Sequence, residues 1–135
     1  MKERKELLRK YVPISELKEV IYTKENHIAR ITLNRPKSMN ALTERTHNEL
    51  ASAIKDAEQD DDVRVFIITG KGRGFCAGDD IKELFLGGGR EEESLRATMM
   101  KAPKEYKLRQ LQGAVLTGGA DRLMTFNKPT IAAVN

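Results

Sequence analysis

A mixed α/β fold is predicted by three observations. Val63 to Thr69 is an almost continuous apolar run of the kind found in a strand covered on both faces. Leu42, Leu50, Ala53, Ile54 and Ala57 recur at helical three-to-four spacing. The elements follow the order β-β-α-β, then helix, then β, with no repeat at a fixed period. With 39% hydrophobic and 33% charged residues in a chain of 135, there is apolar content for one modest core and too much for a disordered tail.

Met1 to Tyr11 is highly charged and closed by Pro13, and residues 1–19 read as a charged N-terminal arm, helical or frayed. Val20-Ile21-Tyr22 is a β-branched and aromatic run, Lys24-Glu25-Asn26 a turn, and His27 to Leu33 an alternating segment; the three predict a hairpin. The second strand has no purely polar face, which predicts burial on more than one side. Asn34 to Asn40 is a loop, because Pro36 lacks an amide donor and biases Arg35 away from helical geometry. Thr43 is the N-cap of the following helix, Glu44 supports its first turn, and the pattern runs to Asp60. Asp60-Asp61-Asp62 reads as a solvated turn, since adjacent carboxylates without a spaced partner do not make a metal site.

Val63 to Thr69 is expected to be a central strand. The next eleven residues, Gly70 to Asp80, contain four glycines within nine positions, and Ile81 to Leu86 begins a further helical pattern. Gly87 to Gly89 interrupts it. Arg90 to Lys104 is expected to be mobile, Tyr106 to Leu116 and Ala120 to Phe126 to be helical, and Thr130 to Asn135 to be a buried strand that runs into the chain end.

The net charge of +4 comes from 24 basic and 20 acidic residues, and Met1 to Lys10, with five basic and two acidic, accounts for +3 of it. The remainder is nearly neutral, aromatics are 5% and Trp is absent, which argues against nucleic-acid binding. No stretch has the apolar length of a membrane span or the core of a signal peptide, and cytoplasmic localisation is expected. Cys76 is the single cysteine, and with only His27 and His47 alongside it there is no zinc-ligand cluster. Cys76 itself reads as a small packing residue. His27, on a strand, and His47, on a helix, have no partner motif and are given no catalytic role.

A strand, a glycine-rich turn and a helix start together can aim bare backbone N–H groups at an anion or a developing oxyanion. A dinucleotide fingerprint fits poorly: after Gly70-x-Gly72, Phe75 occupies the third small position, and the frame Gly72-x-Gly74-x-x-Ala77 begins two residues late. A phosphate loop fails, because Asp79-Asp80 follows Gly78 where Lys-Ser/Thr is required.

The segment Phe75-Cys76-Ala77-Gly78-Asp79-Asp80-Ile81-Lys82-Glu83-Leu84 resembles the Phe-x-Ala-Gly-x-Asp-Ile/Leu segment of the crotonase (enoyl-CoA hydratase/isomerase) superfamily. Asn34-Arg35-Pro36-Lys37-Ser38-Met39-Asn40-Ala41-Leu42 is similar to that family's Asn-Arg-Pro-x-x-x-Asn-Ala-Leu loop. Lys128-Pro129-Thr130-Ile131-Ala132-Ala133-Val134-Asn135 is similar to its Lys-Pro-x-Ile-Ala-Ala-Val-Asn strand. Three signatures in order, over residues 20–135, make the match specific. The resemblance implies an α/β crotonase-like spiral of β-β-α units, incomplete in this chain, with residues 20–135 the N-terminal part of an acyl-CoA-binding domain.

By that resemblance, the backbone N–H of Asp79 is half of an oxyanion hole for the thioester oxygen, its side chain being incidental. Coenzyme A contacts fall on Lys37, Ser38, Met39, Ala77, Gly78 and Asp79, with Lys37 and Lys82 as phosphate partners or, equally, as solvated surface cations. Asp80 reads as a structural cap for the helix that follows. No cofactor is implied, since coenzyme A is part of the substrate, and no metal. The family's second oxyanion N–H and its acid/base carboxylates lie beyond the strand matched by Thr130 to Asn135, so this chain alone is expected to be inactive. The activity implied is enoyl-CoA hydration, with isomerisation or acyl-CoA hydrolysis as alternatives. A non-catalytic CoA-binding or subunit-association module is the reading from another class. Full-length relatives are expected to be homotrimers or hexamers.

Overall fold

The computed structural model describes residues 11–82, 123 and 125–135. Strands β1 (Val20–Glu25), β2 (Ile28–Leu33), β3 (Val65–Gly70) and β4 (Thr130–Ala133) form one sheet in the order β1-β2-β3-β4. β1 and β2 are antiparallel, whereas β3 runs parallel to both β2 and β4. Helix α1 (Glu44–Gln59) is the crossover between β2 and β3 and covers one face of the sheet.

The predicted hairpin is present, but its turn sits at Asn26-His27. Both residues have positive φ, 50° and 66°, the condition a two-residue hairpin turn places on its central residues. His27 therefore belongs to the turn and not to the strand, and its Nδ1 lies 2.9 Å from the Asp62 carbonyl oxygen. In β2, Ala29, Ile31 and Leu33 are buried on the helix side while Ile28 and Thr32 are half-buried and Arg30 is exposed. The expectation of burial on both faces is met only in part.

α1 starts where Thr43 predicts. The Thr43 hydroxyl accepts from the Thr46 amide at 3.0 Å, and the Thr46 hydroxyl accepts from the Thr43 amide at 3.1 Å, a reciprocal cap that satisfies two otherwise orphaned donors. Leu50, Ala53, Ile54 and Ala57 form the inner stripe and pack with Val20, Ile31, Leu33, Val63 and Phe66 into one core. At the other end of α1, Lys128 Nζ donates to the carbonyls of Ala57 (2.8 Å) and Asp60 (2.6 Å). A cation there satisfies free carbonyls and meets the negative end of the helix dipole. The lysine of the Lys128-Pro129 signature thus works as a helix staple.

Residues 11–19, the described part of the charged N-terminal segment, are fastened to α1. Val12 donates its amide to Ser52 Oγ at 2.8 Å. The Glu49 carboxylate, wholly buried, accepts the amides of Lys18, Glu19 and Val20 at 2.8 to 3.1 Å and the Arg45 Nε at 2.6 Å. A buried charge must be paired and hydrogen-bonded to be tolerated, and Glu49 is both.

β3 is interior to the sheet, as its apolar run predicts. β4 departs from expectation: all four of its residues are exposed and Ile131 is 52% exposed. It pairs with β3 on one side and is the edge of the described sheet, so an apolar sequence does not here mean a covered strand. Of the expected helices Ile81 to Leu86 and Ala120 to Phe126, Ile81, Lys82, Leu123 and Thr125 are described and helical, and residues 83–86, 120–122 and 124 lie outside the described residues, as do the expected helix Tyr106 to Leu116 and the expected mobile stretch Arg90 to Lys104. Phe126 is described, and its ring packs on Phe66 with centroids 5.2 Å apart.

Candidate active site

The site grows from two loops that leave parallel strands on the same side, Asn34–Leu42 after β2 and Lys71–Asp80 after β3. Their ends are clasped by Asn40, which is buried. Its Oδ1 accepts the Arg35 amide at 2.9 Å, and its Nδ2 donates to the carbonyls of Lys71 (3.0 Å) and Gly74 (2.8 Å). Asn40 and Met39 hold φ values of 55° and 50°, a left-handed geometry that Asn tolerates better than most residues. Gly70 must be glycine: a Cβ there would fall within 3 Å of the Phe75 and Gly74 carbonyls and of Asn40 Nδ2.

Beyond the clasp the loops run side by side as a short parallel ladder. Ala77 donates its amide to Met39 O at 2.9 Å, Leu42 donates to Gly78 O at 2.8 Å, and Asp80 donates to Leu42 O at 2.7 Å. This ladder decides where Asp79 N–H points. The Gly78 oxygen and the Asp79 amide belong to one planar trans peptide and face opposite ways. With the oxygen locked by Leu42, the N–H is turned away from that loop, and it has no hydrogen-bond partner among the described residues. An unpaired amide of fixed direction, on a half-exposed residue, is what a developing oxyanion needs.

The two carboxylates at this amide, those of Asp79 and Asp80, are both engaged. Asp79 Oδ1 lies 2.9 Å from His47 Nε2 on α1. Asp80 Oδ2 accepts from Arg35 Nη1 at 3.0 Å, and the same nitrogen also donates to the Ala41 carbonyl. Arg35 Nε approaches Glu19 Oε1 at 3.6 Å, and Glu19 accepts from the hydroxyls of Thr43 and Thr46. A polar chain therefore runs from the glycine loop through Arg35 to the N-terminus of α1.

The other sequence-predicted residues fall into two groups. Ala77 meets Met39 through the ladder, while Gly78 and Asp80 bond Leu42 on either side of Asp79. Lys37, Ser38 and Lys82 are exposed, and Lys37 and Ser38 border a shallow depression of about 330 Å³ beside Arg35 and Pro36. The Ala77 amide is used by Met39, which leaves its carbonyl as the group that can meet a ligand. Met39 packs its thioether against Gly74, where a Cβ would collide with the Met39 methyl. Cys76 is half-buried against the core, and its sulfur accepts from the Gly78 amide at 3.4 Å. His47, Arg35 and Asn40 are the site residues to which the sequence assigned no role. Arg35 and Asn40 were at least visible as fixed letters of a motif, whereas for His47 no sequence signal existed.

Residues 23–135 match the family model for enoyl-CoA hydratase/isomerase. The chain belongs to this family. A probable peroxisomal enoyl-CoA hydratase of Arabidopsis thaliana is 38% identical over 95 residues, covering 68% of this chain and 36% of that protein. The 1,2-epoxyphenylacetyl-CoA isomerase of Escherichia coli (strain K12) is 42% identical over 59 residues, 44% of this chain and 22% of that protein. The crystal structure of an enoyl-CoA hydratase from Mycobacterium smegmatis shares the fold with a TM-score of 0.70 at 30% identity, covering 91% of this chain and 42% of that one. The crotonase fold assignment is thereby secured for the described α/β elements. The chain spans well under half the length of each of these relatives.

Proposed function

We propose that this enoyl-CoA hydratase/isomerase family member binds an acyl-CoA thioester and that the Asp79 amide stabilises the thioester oxyanion during enoyl-CoA hydration. The observation that carries the reading is the Asp79 N–H, left without a partner among the described residues and aimed by the locked Gly78 oxygen. When water adds to the β-carbon of an enoyl thioester, the electron pair of the double bond moves onto the thioester oxygen, and a proton then closes the α-carbon. A fixed donor at that oxygen lowers the barrier by about 3–4 kcal/mol. Coenzyme A enters as part of the substrate. Lys37 and Lys82 are proposed to meet its phosphates, and Ser38, Met39, Ala77 and Gly78 to contact it along the ladder.

Hydration also needs groups that move protons. Among the described residues, the carboxylates next to the amide are Asp79 and Asp80, which are held by His47 and Arg35. Binding without hydration is the behaviour proposed for the 135-residue chain, because the acid and base positions that the resemblance implies are not among its residues. Isomerisation is the second reading, because it passes through the same enolate and one relative carries that name.

Titration of butyryl-CoA and of free CoA into the chain tests the proposal, since only the former has a thioester oxygen. Butyryl-CoA is expected to bind more tightly, and Asp79→Pro, which deletes the amide hydrogen, is expected to erase the difference. Equal binding of the two ligands by the parent chain, or a preference that survives Asp79→Pro, would overturn it.

A further inference from the structure

Building on the reading of Asp79 as the oxyanion donor, we infer that His47 is the positioning residue for its amide. The Gly78–Asp79 peptide is held through its oxygen by Leu42. Upstream it hangs from Gly78, which has no side chain to anchor it, holds φ at 106° and donates its amide to the Cys76 sulfur at 3.4 Å. Downstream, the Asp79 side chain crosses to α1, where Oδ1 lies 2.9 Å from His47 Nε2. An ionised carboxylate only accepts, so the hydrogen is on Nε2 in either charge state of the ring. The His47 side chain is 13% exposed and sits on a helix fixed by buried Leu50 and Ile54. It ties the loop to the core.

The contact does two things. It is a second tether, after Leu42, on the peptide plane that aims the N–H. It also places a donor on a carboxylate that has no other side-chain partner among the described residues, on the residue whose amide must meet a second negative charge. The adjacent Asp80 is answered separately by Arg35.

Nuclear magnetic resonance of the ¹⁵N-labelled chain tests this with and without ligand. In the ligand-free protein, His47→Ala should shift the Asp79 amide resonance and speed its solvent exchange, and His47→Gln, which keeps a side-chain N–H donor, should restore both. Long-range ¹H–¹⁵N correlation should place the hydrogen of neutral His47 on Nε2. With ligand, His47→Ala should weaken butyryl-CoA binding about three- to tenfold, the size expected for one charge-assisted hydrogen bond acting indirectly, with the loss falling on the thioester and not on free CoA. Should His47→Ala unsettle α1, Asp79→Ala removes the same contact from the loop side and should give the same loss of thioester preference. An Asp79 amide indifferent to His47→Ala, or a hydrogen on Nδ1, overturns the inference even if butyryl-CoA binds well. If the amide responds to His47 but the parent chain does not prefer butyryl-CoA to CoA, the positioning contact stands and the proposed function fails.

Discussion

At the foot of β1 the amides of Lys18, Glu19 and Val20 converge on Glu49, while at the glycine loop the amide of Asp79 meets no partner among the described residues. Both places put carboxylates beside backbone amides. At Glu49 the carboxylate faces the amides, is buried, and is completed by Arg45, so its bonding capacity is spent within the fold. At Asp79 the carboxylate is drawn aside to His47, and the amide of the same residue is left for something else. Closing such a cluster yields stability, and leaving one donor open yields a place to bind.

The largest expected effect tests the closed side. Glu49→Ala strips the buried acceptor from three amides and from Arg45, and should cost about 3–5 kcal/mol in urea unfolding. If the comparison is right, the variant at permissive temperature keeps its preference for butyryl-CoA over CoA. Asn40→Ala sits between the two regions. Losing three hydrogen bonds at a buried site should cost about 2–3 kcal/mol and, unlike Glu49→Ala, should also abolish the thioester preference by unclasping the loops. A variant that lost stability alone would show that the clasp does not aim the Asp79 amide.

The smallest effect is a pH dependence remote from both. Burial, and then the hydrogen bond to Asp56, hold the Tyr22 phenol well above its ordinary value of 10.0. Hydrogen bonds to Asp60 and Asp56 raise Lys24 above 10.5. Both groups keep their protons longer in the folded state, so their contribution is complete below pH 10 and is lost as pH rises beyond it. Thermal unfolding should show this alkaline decline, and Tyr22→Phe, having no phenol to ionise, should make it shallower. The Lys24 ammonium is largely solvated, so the expected share from Lys24 is small.

What the sequence made legible was what neighbours in the chain decide. Thr43 caps α1 because its partner is three residues away, the β1–β2 turn forms because adjacent residues adopt positive φ, and β3 is central because its whole run is apolar. The turn slipped by one residue because His27 accepts a left-handed geometry that its place in an alternating pattern conceals. β4 misled for another reason: apolar composition reports what a strand is suited to pack against, and exposure depends on what is packed there. Distant partners were the invisible part. Glu49 reads as one charge on a helix face until the fold brings β1 to it, and His47 acquires a role only when a loop 32 residues later lies over the same helix. The motif letters of the site were plain in the sequence, yet the division of labour among Asn40, Arg35 and Asp79 required the ladder between the two loops.

Gly78 extends this to the handedness of the chain. With open space around it and φ at 106°, the position excludes side chains by chirality and not by volume, since L-residues rarely adopt that conformation. A natural alanine there would find room for its methyl and still be strained in its backbone. The approach to the Asp79 amide is thus kept clear by the stereochemistry of a single backbone atom.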